Sequence, residues 1–111
     1  MHAKNDMIKR IWQGWARPEN ADAYEDLVRR DVFPAIADEA GTGFLGAELF
    51  RLNLDNEVEF MTVMSFDAID TIKRLAGEDV TLAYVPDKAR TLLSHWDERA
   101  RHFKLQVEYK T

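Results

Sequence analysis

The sequence contains no cysteine, so it can form no disulfide and offers no thiolate nucleophile. Three prolines and five glycines are too few for a linker-rich or low-complexity chain. No apolar run approaches the roughly 18 residues that a membrane-spanning helix needs. Cations are in the minority, 15 Lys and Arg against 20 Asp and Glu, for a net charge of −5. That balance argues against nucleic acid as a partner, because phosphate binding needs clustered Lys and Arg. The stretch from Met1 to Asp6 lacks the apolar core of a secretory signal, so the cytoplasm is the expected compartment.

What remains is a chain of 111 residues, 46% hydrophobic and 32% charged. Those proportions exclude disorder and suit one domain, expected over residues 7–109 after a flexible N-terminus at residues 1–6. A chain this short leaves about a third or more of its unfolded surface exposed on folding, so a partner subunit would add stability.

Met7 to Ala16 alternates as a strand, with Ile8, Trp12 and Ala16 on one face and Ile11 and Trp15 on the other. Asn20 is a suitable N-cap for a helix from Ala21 to Ala40, in which Tyr24, Leu27, Val28, Val32 and Ile36 recur at helical spacing. Pro34 removes a backbone donor inside it, predicting a kink or break near Asp31 to Phe33. Gly41 suits the helix end. Phe44 to Leu54 and Glu57 to Phe66 read as an antiparallel hairpin turning at Asp55-Asn56. Ile69, Ile72, Leu75 and Ala76 form the apolar stripe of a second helix, closed by Gly77. After a connector from Val80 to Val85, Pro86 opens a short third helix in which Ala89, Leu92, Leu93 and Trp96 share a side. Phe103, Leu105, Val107 and Tyr109 alternate with polar residues in a last strand.

The order predicts an α+β fold, a ferredoxin-like βαββαβ arrangement with an antiparallel four-stranded sheet. Strand one and strand three carry apolar groups on both faces, including Met61 and Val63 opposite Phe60 and Met64. The helices can cover only one face. A second copy of the sheet is the simplest cover for the other, which predicts a homodimer.

Ile11-Trp12-Gln13-Gly14-Trp15 resembles the first strand of antibiotic biosynthesis monooxygenase-like domains. Met64-Ser65-Phe66-Asp67-Ala68-Ile69, Ala76-Gly77-Glu78-Asp79, Val85-Pro86 with Leu92-Leu93, and His102-Phe103-Lys104-Leu105 resemble later parts of them. The resemblance spans Met7 to Tyr109. It implies a dimeric α+β barrel, with a pocket in each subunit between sheet and helices. It also implies oxidation of a small aromatic molecule by molecular oxygen, with no cofactor and no metal. Some relatives degrade haem; their Asn, Trp and His set has no match here, with Phe66 standing near the tryptophan's place.

Cofactor-free oxygenation needs an apolar slot, a base or donor for the substrate anion, and hydrogen bonds to the charged intermediate. His102 is the candidate catalytic base, because histidine titrates near neutral pH. Arg10 and Trp12, on one face of strand one, could hold a planar anion by charge and stacking. Phe66 and Tyr84 complete the substrate-binding set, with Tyr24 and Trp96 as further aromatic wall candidates. His95 is expected on an exposed side. His95 and His102 cross an element boundary with no cysteine or His-x-His, so no metal site is expected. Gly41-Thr42-Gly43-Phe44-Leu45-Gly46 spells G-x-G-x-x-G, yet it follows a helix and enters a strand, the reverse of a dinucleotide site. The alternative to an enzyme is a non-catalytic dimer that binds a small ligand or serves as an assembly module.

Overall fold

The computed structural model describes residues 7–111; the N-terminal segment 1–6, expected to be flexible, lies outside the described residues. Five strands form one antiparallel sheet: β1 (Ile8–Ala16), β2 (Phe44–Asn53), β3 (Val58–Phe66), β4 (Leu93–Trp96) and β5 (Arg101–Lys104). Four α-helical segments accompany them: α1 (Pro18–Leu27), α2 (Phe33–Ala40), α3 (Ile69–Ala76) and α4 (Asp87–Leu92). The strand order is β2-β3-β1-β4, with β5 also pairing β1. The sheet is thus four positions wide, and its last position is shared by two short strands.

The register runs unbroken between β1 and β3, from Ile8 opposite Phe66 to Ala16 opposite Val58. Burial alternates along both strands, so every second residue faces the helices. That face carries Ile8, Arg10, Trp12 and Ala16 from β1, and Phe60, Thr62, Met64 and Phe66 from β3. Phe60 and Phe66 are completely buried, each stabilising the fold by roughly 2–3 kcal/mol through apolar burial. Two clusters fill the layer: one around Trp12, Tyr24, Phe60 and Leu93, the other around Ile36, Met64, Phe66 and Ile72.

The predicted break in the first helix is a π turn, Val28–Val32, joining α1 to α2. Pro34 cannot donate to the carbonyl one turn back, and wider hydrogen bonding accommodates the missing donor without stopping the helix. The helix begins earlier than expected, at Pro18, whose fixed φ suits a first turn; Arg17, not Asn20, is the N-cap. Gly41 and Gly77 close α2 and α3 at φ 75° and 85°, conformations that glycine adopts without a Cβ penalty.

Two expectations need correction. The third helix stops at Leu92, and Leu93–Trp96 is strand β4. Leu92, Leu93 and Trp96 fit helical spacing by coincidence, since four residues cannot separate the two periods. The last strand ends at Lys104 and does not run to Tyr109; Val107 and Tyr109 are 81% and 86% exposed. Among the described residues no neighbouring strand pairs them, so alternation alone does not make them a ladder.

Among the described residues no helix covers the opposite sheet face. Ile11, Phe50, Leu52, Met61, Val63 and Phe103 lie there by register, and Phe50, Leu52 and Phe103 are about half exposed. At its end Trp15 stacks on His95, ring centroids 4.6 Å apart, and His95 meets the Glu57 carboxylate at 3.1 Å. No described helix is long and apolar enough to cross a membrane.

Candidate functional site

A cavity lies between the helix-facing side of the sheet, α1, the π turn, α2 and the Val80–Pro86 connector. The centre of a water molecule has about 40 Å³ of freedom inside it. Its wall is mostly apolar, with Val28, Val32, Ile36, Met64 and Leu75 among the lining residues. Polar groups enter from two strands and one helix: Arg10, Thr62 and Tyr24.

Arg10 is the unusual member. It is 2% exposed, and register sets it between Met64 on β3 and His102 on β5. Its Nη1 donates to the Val80 carbonyl at 2.5 Å and to His102 Nε2 at 2.7 Å; its Nη2 donates to the Leu82 carbonyl at 2.7 Å. Among the described residues no carboxylate bonds it. A buried guanidinium normally requires a counter-charge. Burial pushes its pKa down from the usual value, yet an arginine stays protonated. The cavity wall therefore carries a buried cation that, among the described residues, is held by dipoles alone.

These bonds settle the state of His102. Arginine only donates, so Nε2 of His102 must be the lone-pair acceptor and its proton sits on Nδ1. Burial first, and then the Arg10 charge, push the His102 pKa below its reference value. His102 is on the helix side of the sheet, behind Arg10, and is not among the residues lining the cavity. Its Nε2 lone pair is already taken by Arg10, which leaves that atom unavailable as a base.

The other sequence candidates separate. Trp12 lines the cavity, with its indole N–H donated to the Asp97 carbonyl at 2.6 Å, so the ring is fixed in place. Tyr84 lines it too and is 45% exposed. Phe66 does not: it is buried at the far end of β3 against Phe44, in the second core cluster. Trp96 packs against the first cluster under Arg90 and does not line the cavity. Tyr24 does, tilted against Phe60 at 4.8 Å, and burial pushes its phenol up to about 12. It stays neutral and can donate.

Thr62 escaped the sequence reading. It stands opposite Trp12, in the buried phase between Phe60 and Met64. A polar residue interrupting the buried phase of a strand was the available signal.

The connector is pinned as well as lining the wall. Arg10 holds Val80 and Leu82 from within. From outside, Arg99 bonds Asp79 at 2.5 Å and Thr81 at 2.9 Å, and Ala100 N–H donates to the Thr81 carbonyl. Hydrogen bonds from Thr81 and Arg99 hold the Asp79 carboxyl down at about 2. Among the described residues no three His, Cys, Asp or Glu side chains gather as metal ligands.

No family model and no curated protein matches the chain. Solved structures do. SnoaB, a cofactor-independent oxygenase from Streptomyces nogalater, superposes with TM-score 0.58 and 15% identity over 95% of this chain and 96% of its own. A candidate antibiotic biosynthesis monooxygenase from Bacillus cereus gives 0.64 and 12% over 95% and 98%. Another from Caulobacter crescentus gives 0.62 and 16% over 96% and 94%. Identities this low speak for the fold alone. The chain has the α+β, ferredoxin-like fold of antibiotic biosynthesis monooxygenase-like proteins.

Proposed function

We propose that the protein is a cofactor-independent oxygenase of a small aromatic compound. The observation that carries this reading is the apolar cavity with one buried cation, Arg10, in its wall. Oxygen reacts with an electron-rich carbanion or phenolate, so a protein without a cofactor must stabilise that anion in a dry site. An apolar wall with a fixed guanidinium suits that task. The substrate would bind as its enolate or phenolate, its proton having passed to water, with Trp12 and Tyr84 against the ring. For an anthrone-type substrate a ring CH2 becomes C=O: one atom of O2 enters the ring and the other leaves as water. Four electrons leave the carbon and four reduce the oxygen.

In this reading Arg10 stabilises the substrate anion, water replaces His102 as the proton acceptor, and His102 acts through Arg10 as a positioning residue. Phe66 keeps a packing role. The site works within a homodimer joined through the open sheet face. Charge supports that pairing: Glu48, Val63, Ile11 and Arg101 form one row across the sheet. A two-fold axis along the strands sets Glu48 of one copy over Arg101 of the other.

The second reading, a ligand-binding dimer without catalysis, draws on the small cavity and on the occupied Nε2 of His102. Oxygen uptake with an anthrone-type substrate, above the protein-free rate, tests the choice. Uptake that falls at least tenfold in Arg10→Lys but survives in His102→Gln supports the oxygenase. Absence of uptake with this substrate and with single-ring phenols favours the binding dimer.

A further inference from the structure

We infer that Arg10, Tyr24 and Thr62 together form a receptor for one anionic oxygen-bearing group, so the cavity selects ligands that carry an ionised acid. The inference rests on the cavity being the ligand site, and it concerns binding, whether or not oxygen reacts there. Three observations meet. First, three of the five Arg10 N–H bonds are engaged by Val80, Leu82 and His102, and two remain. Second, Tyr24 and Thr62 are 3% and 7% exposed, both line the cavity, and neither hydroxyl hydrogen-bonds to protein among the described residues. Among the described residues no buried side-chain oxygen lacks a partner, so these two hydroxyls reach accessible space, which the cavity lined by both residues provides. Third, apart from the half-exposed Tyr84, the rest of the named wall is apolar or, as with the Trp12 N–H, already bonded, so a ligand's neutral polar groups gain little there.

Arg10 sets the sign, because its guanidinium is charged and has no acceptor atom. The Tyr24 phenol, held neutral, and the Thr62 hydroxyl can each turn an O–H toward the same group. The site can thus supply up to four donors to an acceptor-only group such as a carboxylate or phenolate. A cation would meet like charge. A neutral amide of the same shape would keep the ring contacts but lose the charge-assisted bonds. Thr62 matters particularly because it sits directly opposite Trp12, so the ring wall and the hydroxyl come from one cross-strand pair.

The test compares benzoate with benzamide by calorimetric titration, without any oxidisable substrate. Benzoate should bind at least about tenfold more tightly than benzamide. Thr62→Val and Tyr24→Phe keep shape and should each weaken benzoate about three- to tenfold while leaving benzamide unchanged. Arg10→Lys should weaken benzoate and reduce its preference over benzamide. Equal binding of acid and amide, no binding of either at millimolar concentration, or indifference to both hydroxyl deletions would overturn the inference. Selective acid binding with no oxygen uptake would keep the receptor and remove the oxygenase; uptake without acid selectivity would do the reverse.

Discussion

Replacing Arg10 by Met tests what a buried arginine bonded to two carbonyls and a histidine does for this fold. Methionine keeps an unbranched stem along the same wall and removes the charge. Two effects compete. Taking a guanidinium out of the interior relieves a desolvation cost of several kcal/mol, which is why some buried charges can be replaced by apolar residues at a gain. Against that, the Val80 and Leu82 carbonyls and His102 Nε2 lose their donor. Each bond to a charged group is worth about 1.5–3 kcal/mol. Leu82 is 47% exposed and His102 half-buried, so both can turn to water and recover part of the loss. We expect a net loss of about 2–4 kcal/mol, or about 8–15 °C in melting temperature for a domain of this size. Hydrogen exchange should localise the effect. The Ala83 and Ala100 amides, bonded to Glu98 and Thr81, should exchange faster, while the β1–β3 ladder keeps its rank order of protection. A variant as stable as the wild type, with the connector equally protected, would refute the claim that Arg10 holds it.

Three further outcomes follow from particular contacts. Met61→Asp puts a charge at the centre of the open sheet face and should convert the proposed dimer to monomer on size-exclusion chromatography; unchanged elution and stability would count against that interface. His102 has a folded pKa below its 6.5 reference, so its share of stability is complete above about pH 6.5 and is lost as pH falls through the lowered value. Urea midpoints of the wild type should accordingly drop more than those of His102→Gln between neutral pH and about pH 5. In Gly43→Ala a new Cβ would stand 2.1 Å from Thr71 Oγ1 and 2.5 Å from Asp67 Oδ1; overpacking there should cost about 1–3 kcal/mol in urea unfolding, and an unchanged midpoint would contradict the packing of α3 on the entry to β2.

The parts legible in the sequence were those where local chemistry and packing agree. The Asp55-Asn56 turn, the alternation of β1 and β3, the glycine at the end of α2 and the disturbance ahead of Pro34 each follow from one residue's constraints. The last sheet position was not legible, because β4 and β5 are four residues each and are placed by pairing with β1 rather than by their own pattern. The site was half legible. Parity put Arg10, Trp12 and Phe66 on the helix side, but parity does not say how far along a strand a cavity opens, and Phe66 lies past its end. Counting only apolar residues in β3 hid Thr62. The role of His102 depended on which acceptor a neighbouring strand's arginine would find, which no spacing within one segment encodes.

The most direct test of the account is a titration of the ¹⁵N-labelled protein with benzoate, reading its three indole N–H signals. Trp12 lines the cavity, Trp15 stacks on His95 at the open face, and Trp96 lies under Arg90. The account predicts a saturable shift of the Trp12 signal, abolished or weakened in Thr62→Val, with Trp15 and Trp96 little changed. A shift led by Trp15, or none at all, would place the ligand elsewhere and contradict it.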